Sequence, residues 1–238
     1  MLILGLQKLT LLDYPGKVAC SVFTGGCNMR CPFCHNASLV LRPERAQAIG
    51  GEEVFRFLEK RRGLLEGVCV TGGEPLLQRD IRGFMGKLKD MGYAVKLDTN
   101  GSFPDRLREL VEAGLVDYVA MDIKGALENY GRITGVADFD TAPIRESAEF
   151  LLGGGLPYEF RTTVVRGLHR KSDFEAIGRW LAGARRYYLQ GFVDSDDLVF
   201  ASEGSWSGGR LEAFGREEME EFRQLVLPGI PGAELRGL

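Results

Sequence analysis

Three cysteines, Cys27, Cys31 and Cys34, fall within the stretch TGGCNMRCPFCHN that runs from Thr24 to Asn36. Their spacing, C-x3-C-x2-C, puts three thiolates on one short segment and stops one ligand short of a closed four-ligand site. A structural zinc normally takes four protein ligands. His35 directly follows Cys34, too close to serve comfortably as a fourth vertex, and His169 lies far along the chain. A three-cysteine zinc site completed by water stays open as a reading. Iron–sulfur clusters are also held by thiolates, and a [4Fe–4S] cluster bound by three of them keeps one iron free for an outside ligand. On that reading the missing fourth cysteine is the functional feature. The other two, Cys20 in KVACSVFT and Cys69 in GVCVTGG, lie in apolar β-like runs and read as small buried hydrophobes. Five cysteines, an odd number, with no export signal in view, argue against a disulfide framework.

The segments that must position these thiolates alternate between two patterns. Strands are expected at Lys17–Thr24, Gly67–Thr71, Tyr93–Asp98, Asp117–Asp122, Tyr158–Val165 and Arg186–Phe192. Helices are expected at Glu52–Arg62, Arg79–Met91, Pro104–Ala113, Ala142–Leu152 and Phe174–Leu181, with Gly92 and Gly114 as C-terminal caps. Short apolar strands alternating with helices imply a parallel sheet covered by helices. Six such units predict an α/β fold, a partial (β/α)6 TIM-like barrel, rather than a closed eight-unit one. A further helix is expected over Gly215–Leu227, packed over the open side of the barrel or docking a partner. The stretch ASEGSWSGGRL, residues 201–211, reads as the most mobile loop. One domain spans residues 1–238, with a core at about 15–192 and a C-terminal extension at about 193–238.

On this frame the polar motifs gather at one rim. The cysteines follow the first expected strand, TGGEP (Thr71–Pro75) the second, LDTNG (Leu97–Gly101) the third and MDIKG (Met121–Gly125) the fourth. Sheets and barrels of this class place their active sites at the carboxyl ends of parallel strands. Gly72 and Gly73 suit close backbone approach to a ligand. Asp98-Thr99-Asn100-Gly101 also reads as simple turn chemistry. Arg161 lies inside the fifth strand, where an inward arginine must find an anion.

C-x3-C-x2-C with Phe33 before the last cysteine resembles the signature of radical S-adenosylmethionine (SAM) enzymes, and GGEP is similar to that superfamily's motif for the methionine amino group. DYPGKVACSVFTGGCNMRCPFCHN, TGGEPLLQ, DTNG, MDIKG and YEFRTTVV together resemble the activating enzymes of glycyl radical enzymes. Among these the likeness is best to anaerobic ribonucleoside-triphosphate reductase activating proteins, over roughly residues 5 to 192. The resemblance implies that Cys27, Cys31 and Cys34 ligate three irons of a [4Fe–4S] cluster while SAM chelates the fourth. An electron from a flavodoxin or ferredoxin would then release a 5′-deoxyadenosyl radical, which installs a glycyl radical on the partner enzyme. It also implies that Phe33, Gly72, Gly73, Glu74, Asp98, Thr99, Asn100, Asp122, Lys124 and Arg161 surround SAM. Glu74 would lie near the positive amino group and Arg161 against the cofactor. Asp98, Thr99 and Asp122 would hold a monovalent cation beside the SAM carboxylate, while Lys124 pairs with Asp122 or faces the substrate. The chain has no inserted cysteines for a second cluster. Its sixth strand, YYLQGF, lacks the histidine that pyruvate formate-lyase activating enzymes show nearby. Two other readings stay open. One is a radical enzyme acting on a small molecule, such as a 7-carboxy-7-deazaguanine synthase-like protein, or on another glycyl radical enzyme such as pyruvate formate-lyase. The other is a structural cluster- or zinc-binding protein, which leaves GGEP without a role.

Composition sets the outer bounds. With 238 residues, 45% hydrophobic and 26% charged, the chain can bury a full core. A formal net charge of −3 argues against bulk, sequence-independent binding to nucleic acid. No apolar run approaches the roughly 18 residues of a membrane span, and Met1–Leu12 does not read as a signal peptide. A cytoplasmic location is expected.

Overall fold

The computed structural model describes residues 1–194, 198–199 and 209–238. One eight-stranded sheet runs in chain order: β1 (Ile3–Thr10), β2 (Ala19–Thr24), β3 (Gly67–Gly72), β4 (Ala94–Thr99), β5 (Tyr118–Asp122), β6 (Tyr158–Val164), β7 (Tyr187–Gly191) and β8 (Ala233–Arg236). From β2 to β8 every pairing is parallel, while β1 lies antiparallel on β2. Parallel neighbours in strict sequence order curl one way and build a partial barrel with helices outside.

Six crossovers carry the outer helices: α2 (Gly51–Glu59), α3 (Ile81–Asp90), α4 (Pro104–Glu112), α6 (Ala142–Leu152), α7 (Lys171–Trp180) and α8 (Arg216–Val226). Two short helices, α1 (Ala37–Leu41) and α5 (Tyr130–Thr134), sit in the loops of the rim. The crossover helices are amphipathic. In α2, Val54, Phe55 and Leu58 are buried while Glu52 and Glu53 face outward. Phe55 packs on Phe84 of α3 with ring centroids 5.1 Å apart, and Lys87 Nζ lies over its ring at 4.0 Å. Gly92 and Gly114 adopt φ +87° and +67° after α3 and α4, as the expected caps require.

All six expected strands form, each end lying within two residues of its expected position. Two strands escaped the sequence pattern. Residues 3–10 show no clean alternation of burial, because β1 is an edge strand whose pairing shifts register between Ile3 and Gly5 and between Gln7 and Thr10. β8 has only four residues, too few for a periodic signal. The expected tail helix is therefore more than a cover for the open side: α8 is the crossover between β7 and β8. It packs on α7 through stacked Phe174 and Phe222, 4.6 Å apart, and a Cβ on Gly178 would lie 3.1 Å from the Val226 Cα. The loop expected to be most mobile, 201–211, lies outside the described residues except for its last three.

The barrel is floored at the amino ends of its strands. The loop after β1 tucks Tyr14 against Gly67, with its ring 6.0 Å from Tyr118, and Ala19 completes this small cluster. Among the described residues no helix is long and apolar enough to cross a membrane.

Candidate active site

A cavity of about 520 Å³ opens at the carboxyl ends of the strands, and every sequence-predicted site residue except Glu74 lines it. The cysteine loop that forms one wall is fixed largely by main-chain contacts. Arg30 N donates to Thr134 O at 2.8 Å, and its guanidinium reaches back to the carbonyls of Cys27 and Met29 at 2.7 and 2.8 Å. Asn36 Nδ2 donates to Gly72 O at 3.1 Å and ties the loop to the end of β3. Across the rim, Val199 N donates to Cys34 O at 3.1 Å. Phe33 faces the His169 ring at 6.5 Å. Burial holds His169 below its usual pKa, so the ring is neutral. Its Nε2 faces Lys124 O at 2.8 Å and so carries the proton, which leaves Nδ1 to accept from Val165 N at 3.0 Å.

The three thiols line the cavity, but among the described residues no three His, Cys, Asp or Glu side chains converge on one point as a single metal ion requires. Burial pushes the Cys27 thiol up to about 11 and the Cys31 thiol up to about 12. Metal loading must therefore displace protons from them.

The glycines of TGGEP serve the protein's own backbone. Gly72 has φ +112°, and a Cβ there would lie 2.4 Å from Thr24 N; one on Gly73 would lie 2.0 Å from Gly26 O. The expected close approach is thus between the ends of β2 and β3, which lets Gly73 N bond Thr24 O at 2.9 Å and Glu74 N bond Gly26 O at 2.8 Å. Glu74 departs further from expectation. Its carboxylate is fully buried and turned into the wall, accepting from Leu76 N at 3.0 Å, Thr99 Oγ1 at 2.8 Å and Asn100 N at 2.7 Å. With three internal donors to satisfy, it braces the β3 and β4 termini instead of facing an amino group in the cavity.

Asp98 and Asp122, two of the residues expected to hold a monovalent cation, are paired with cationic side chains in the protein. Arg161 bridges the two carboxylates that were to hold it: Nε donates to Asp122 Oδ1 at 3.0 Å and a terminal nitrogen lies 3.2 Å from Asp98 Oδ2. Lys124 Nζ donates to Asp122 Oδ2 at 3.0 Å, and Lys96 Nζ donates to Asp98. Glu159 lies 4.0 Å from Arg161 as well, so three side-chain cations stand among three carboxylates. Burial opposes ionisation of Asp122, but Arg161 and then Lys124 overcome it and hold the carboxyl at about 2. Asp98 is held low in the same way by Arg161 and Lys96, against its burial.

Lys96 and Glu159 were missed by sequence reasoning. Both are almost wholly buried inside the barrel, Glu159 receiving Tyr118 Oη at 2.9 Å and facing Arg236 at 3.4 Å. A signal existed. In YAVKLD and YEFR each sits two residues before Asp98 or Arg161, on the same face of a strand that is otherwise apolar.

Comparison with known proteins places the chain in a family. A protein of Methanocaldococcus jannaschii, provisionally named a glycyl-radical enzyme activating enzyme, is 31% identical over 97% of both chains. A 7-carboxy-7-deazaguanine synthase of Hyperthermus butylicus is 31% identical over 60% of this chain and 67% of its own. Among solved structures, a domain of pyruvate-formate lyase-activating enzyme from Bacteroides vulgatus shares the fold with TM-score 0.56 at 17% identity, over 72% of this chain and 99% of its own. Streptococcus suis SuiB bound to its precursor peptide does so with TM-score 0.65 at 12% identity, over 90% of this chain and 47% of its own. The profile of the Radical SAM superfamily matches residues 21–181, from within β2 through α7 and so across the cysteine loop, TGGEP and Arg161. The chain belongs to the radical SAM superfamily, whose members use a [4Fe–4S] cluster and SAM.

Proposed function

We propose that this radical SAM enzyme activates a partner, abstracting hydrogen from one glycine of a glycyl radical enzyme, and that the partner is an anaerobic ribonucleoside-triphosphate reductase. The observation that carries this reading is how little the cavity keeps for a small substrate. Of the lining residues outside the expected site, Asn36 is bonded to Gly72 O, His35 Nε2 lies 2.5 Å from Val193 O, and Asp13 accepts from Ser21 Oγ at 2.5 Å. Among the described residues, Thr71, Thr163 and Gln190 are then the uncharged polar side chains left over. A polar metabolite needs several convergent groups to be read. A peptide loop brings its own main chain and can close the cavity itself, excluding water when bound. The likeness to the Methanocaldococcus jannaschii protein along nearly the whole of both chains also supports an activating role.

The residues fit the cofactors on the chemistry of the donor set: three cavity-facing thiols one ligand short of closure, beside a cavity wide enough for a nucleoside-sized molecule. In this reading Cys27, Cys31 and Cys34 hold the cluster. Bound together, the cluster and SAM supply an electron and a 5′-deoxyadenosyl radical. Lys124 and Arg161 present positive charge at the cavity wall, where a carboxylate such as that of SAM is neutralised. Thr99 and Asn100, braced by Glu74, fix the wall beside the cysteine loop. The floor at Tyr14 and the buried ion pairs of Arg161 with Asp98 and Asp122 would position the cavity wall that orients a glycine delivered from above. A flavodoxin or ferredoxin is the proposed electron donor.

The test is to mix reduced enzyme, SAM and a candidate reductase and record the paramagnetic resonance spectrum. A glycyl radical doublet is expected, with deuterium from the target glycine recovered in 5′-deoxyadenosine. The ligand set is checked by iron counts: Cys31→Ala loses the cluster, whereas Cys20→Ala keeps it. A second reading, a radical enzyme working on a small molecule, is favoured by the likeness to 7-carboxy-7-deazaguanine synthase. Turnover of a metabolite with no doublet from any glycyl radical enzyme decides for that reading.

A further inference from the structure

We propose that Asn100 sets the reduction potential of the cluster by donating an N–H···S hydrogen bond to Cys27, an inference that rests on Cys27 being a cluster ligand. Among the described residues the Cys27 sulfur has two donors, Met29 N at 3.4 Å and Asn100 Nδ2 at 3.7 Å. Asn100 itself is almost completely buried and held from three sides. Its main-chain N–H is bound by Glu74 Oε2 at 2.7 Å, its Oδ1 accepts from Ser102 N at 3.0 Å, and its Nδ2 also donates to Asn28 Oδ1 at 2.8 Å. The orientation of the amide follows from these partners. A flipped side chain would set its NH₂ against the Ser102 N–H and its oxygen against the sulfur and against Asn28 Oδ1. The other hydrogen of the carboxamide then points at Cys27. Glu74, two positions after Gly72, is the anchor that holds Asn100 there.

A coordinated thiolate carries negative charge, and adding an electron to the cluster increases it. A donor fixed in a buried wall stabilises the reduced state more than the oxidised one and raises the potential. Asn100 is thus a positioning residue for the electron-accepting step, acting through Cys27 rather than on SAM.

The experiment is a redox titration, followed by paramagnetic resonance, of the reconstituted holoenzyme as wild type, Asn100→Ala, Asn100→Asp and Asn28→Ala. Removing the donor should shift the one-electron equilibrium about tenfold against the reduced cluster in Asn100→Ala, a midpoint ~59 mV lower. Asn100→Asp, which keeps the shape and the Ser102 contact but adds negative charge, should shift it further. Asn28→Ala, which removes a brace but leaves the sulfur contact, should shift it less than half as far as Asn100→Ala. If Asn100→Ala fails to hold iron, Asn100→Asp decides by the same readout. Wild-type midpoints in the Asn100 variants, or an equal shift in Asn28→Ala, overturn the proposal. Iron counts on Cys27→Ala separate the two levels: full iron there breaks the ligand reading, whereas lost iron with unmoved Asn100 midpoints breaks only the role of Asn100.

Discussion

Replacing Glu74 by glutamine separates a wall brace from a cofactor contact. The carboxylate is fully buried with three donors, Leu76 N, Thr99 Oγ1 and Asn100 N. Burial is the largest influence on its ionisation, and these hydrogen bonds offset it only in part, so the group rises from 4.5 to about 7. Between those values the folded chain binds a proton more tightly than the unfolded one. Stability at this site is therefore greatest below pH 4.5 and falls as pH rises through about 7. At ~1.36 kcal/mol per pH unit this window amounts to ~3 kcal/mol. Glutamine does not titrate, but it sets an NH₂ against one of two main-chain N–H groups, which costs ~1–3 kcal/mol at every pH. The advantage of wild type over Glu74→Gln should accordingly shrink by ~3 kcal/mol between pH 4.5 and pH 8. For a chain of this size that narrows the difference in Tm by about 6–12 °C. Thermal unfolding of both cluster-free proteins across that range is the assay, and every other titrating group is common to the pair. A difference in Tm that stays constant with pH refutes a buried, charge-penalised Glu74. In the reconstituted enzymes, SAM affinity should agree within about threefold, ~0.7 kcal/mol; a tenfold or greater loss would put the carboxylate on the ligand.

Gly73→Ala should force the cysteine loop off β3, because the new methyl would lie 2.0 Å from Gly26 O, a main-chain atom that cannot step aside. A loss of ~1–3 kcal/mol and reduced iron content are expected, measured by unfolding and iron assay. Gly86→Ala, which meets nothing within 4 Å on helix α3, should be neutral or stabilising by up to ~1 kcal/mol. Arg161→Met should cost ~2–4 kcal/mol in urea unfolding, below the extreme for a broken buried pair because Lys96 and Lys124 still face Asp98 and Asp122. Adding Asp122→Asn should recover part of that loss, and an additive double variant would refute the bridge.

The sequence by itself determined the chemistry and most of the frame. Three thiols at C-x3-C-x2-C, followed by GGEP after the next strand, are local facts of spacing, and six strands and five helices show periods that survive any tertiary context. The short and irregular elements did not show: β1 has an edge strand's shifted register, and β8 is too short to have a period. Tertiary structure alone decided how the polar side chains are used. Glu74 reads as a ligand group because it follows two glycines, yet the strand ends beside it offer three unpaired donors that a buried carboxylate must satisfy. Asp98 and Asp122 read as cation ligands because both are acidic and stand at one rim. Parallel pairing of β5 with β6 sets Asp122 beside Arg161, and Lys96 and Asp98 share a face of β4, so strand register places counter-charges beside both carboxylates. Spacing along one strand can be read from its residues, but pairing across strands is fixed only when the barrel closes around them.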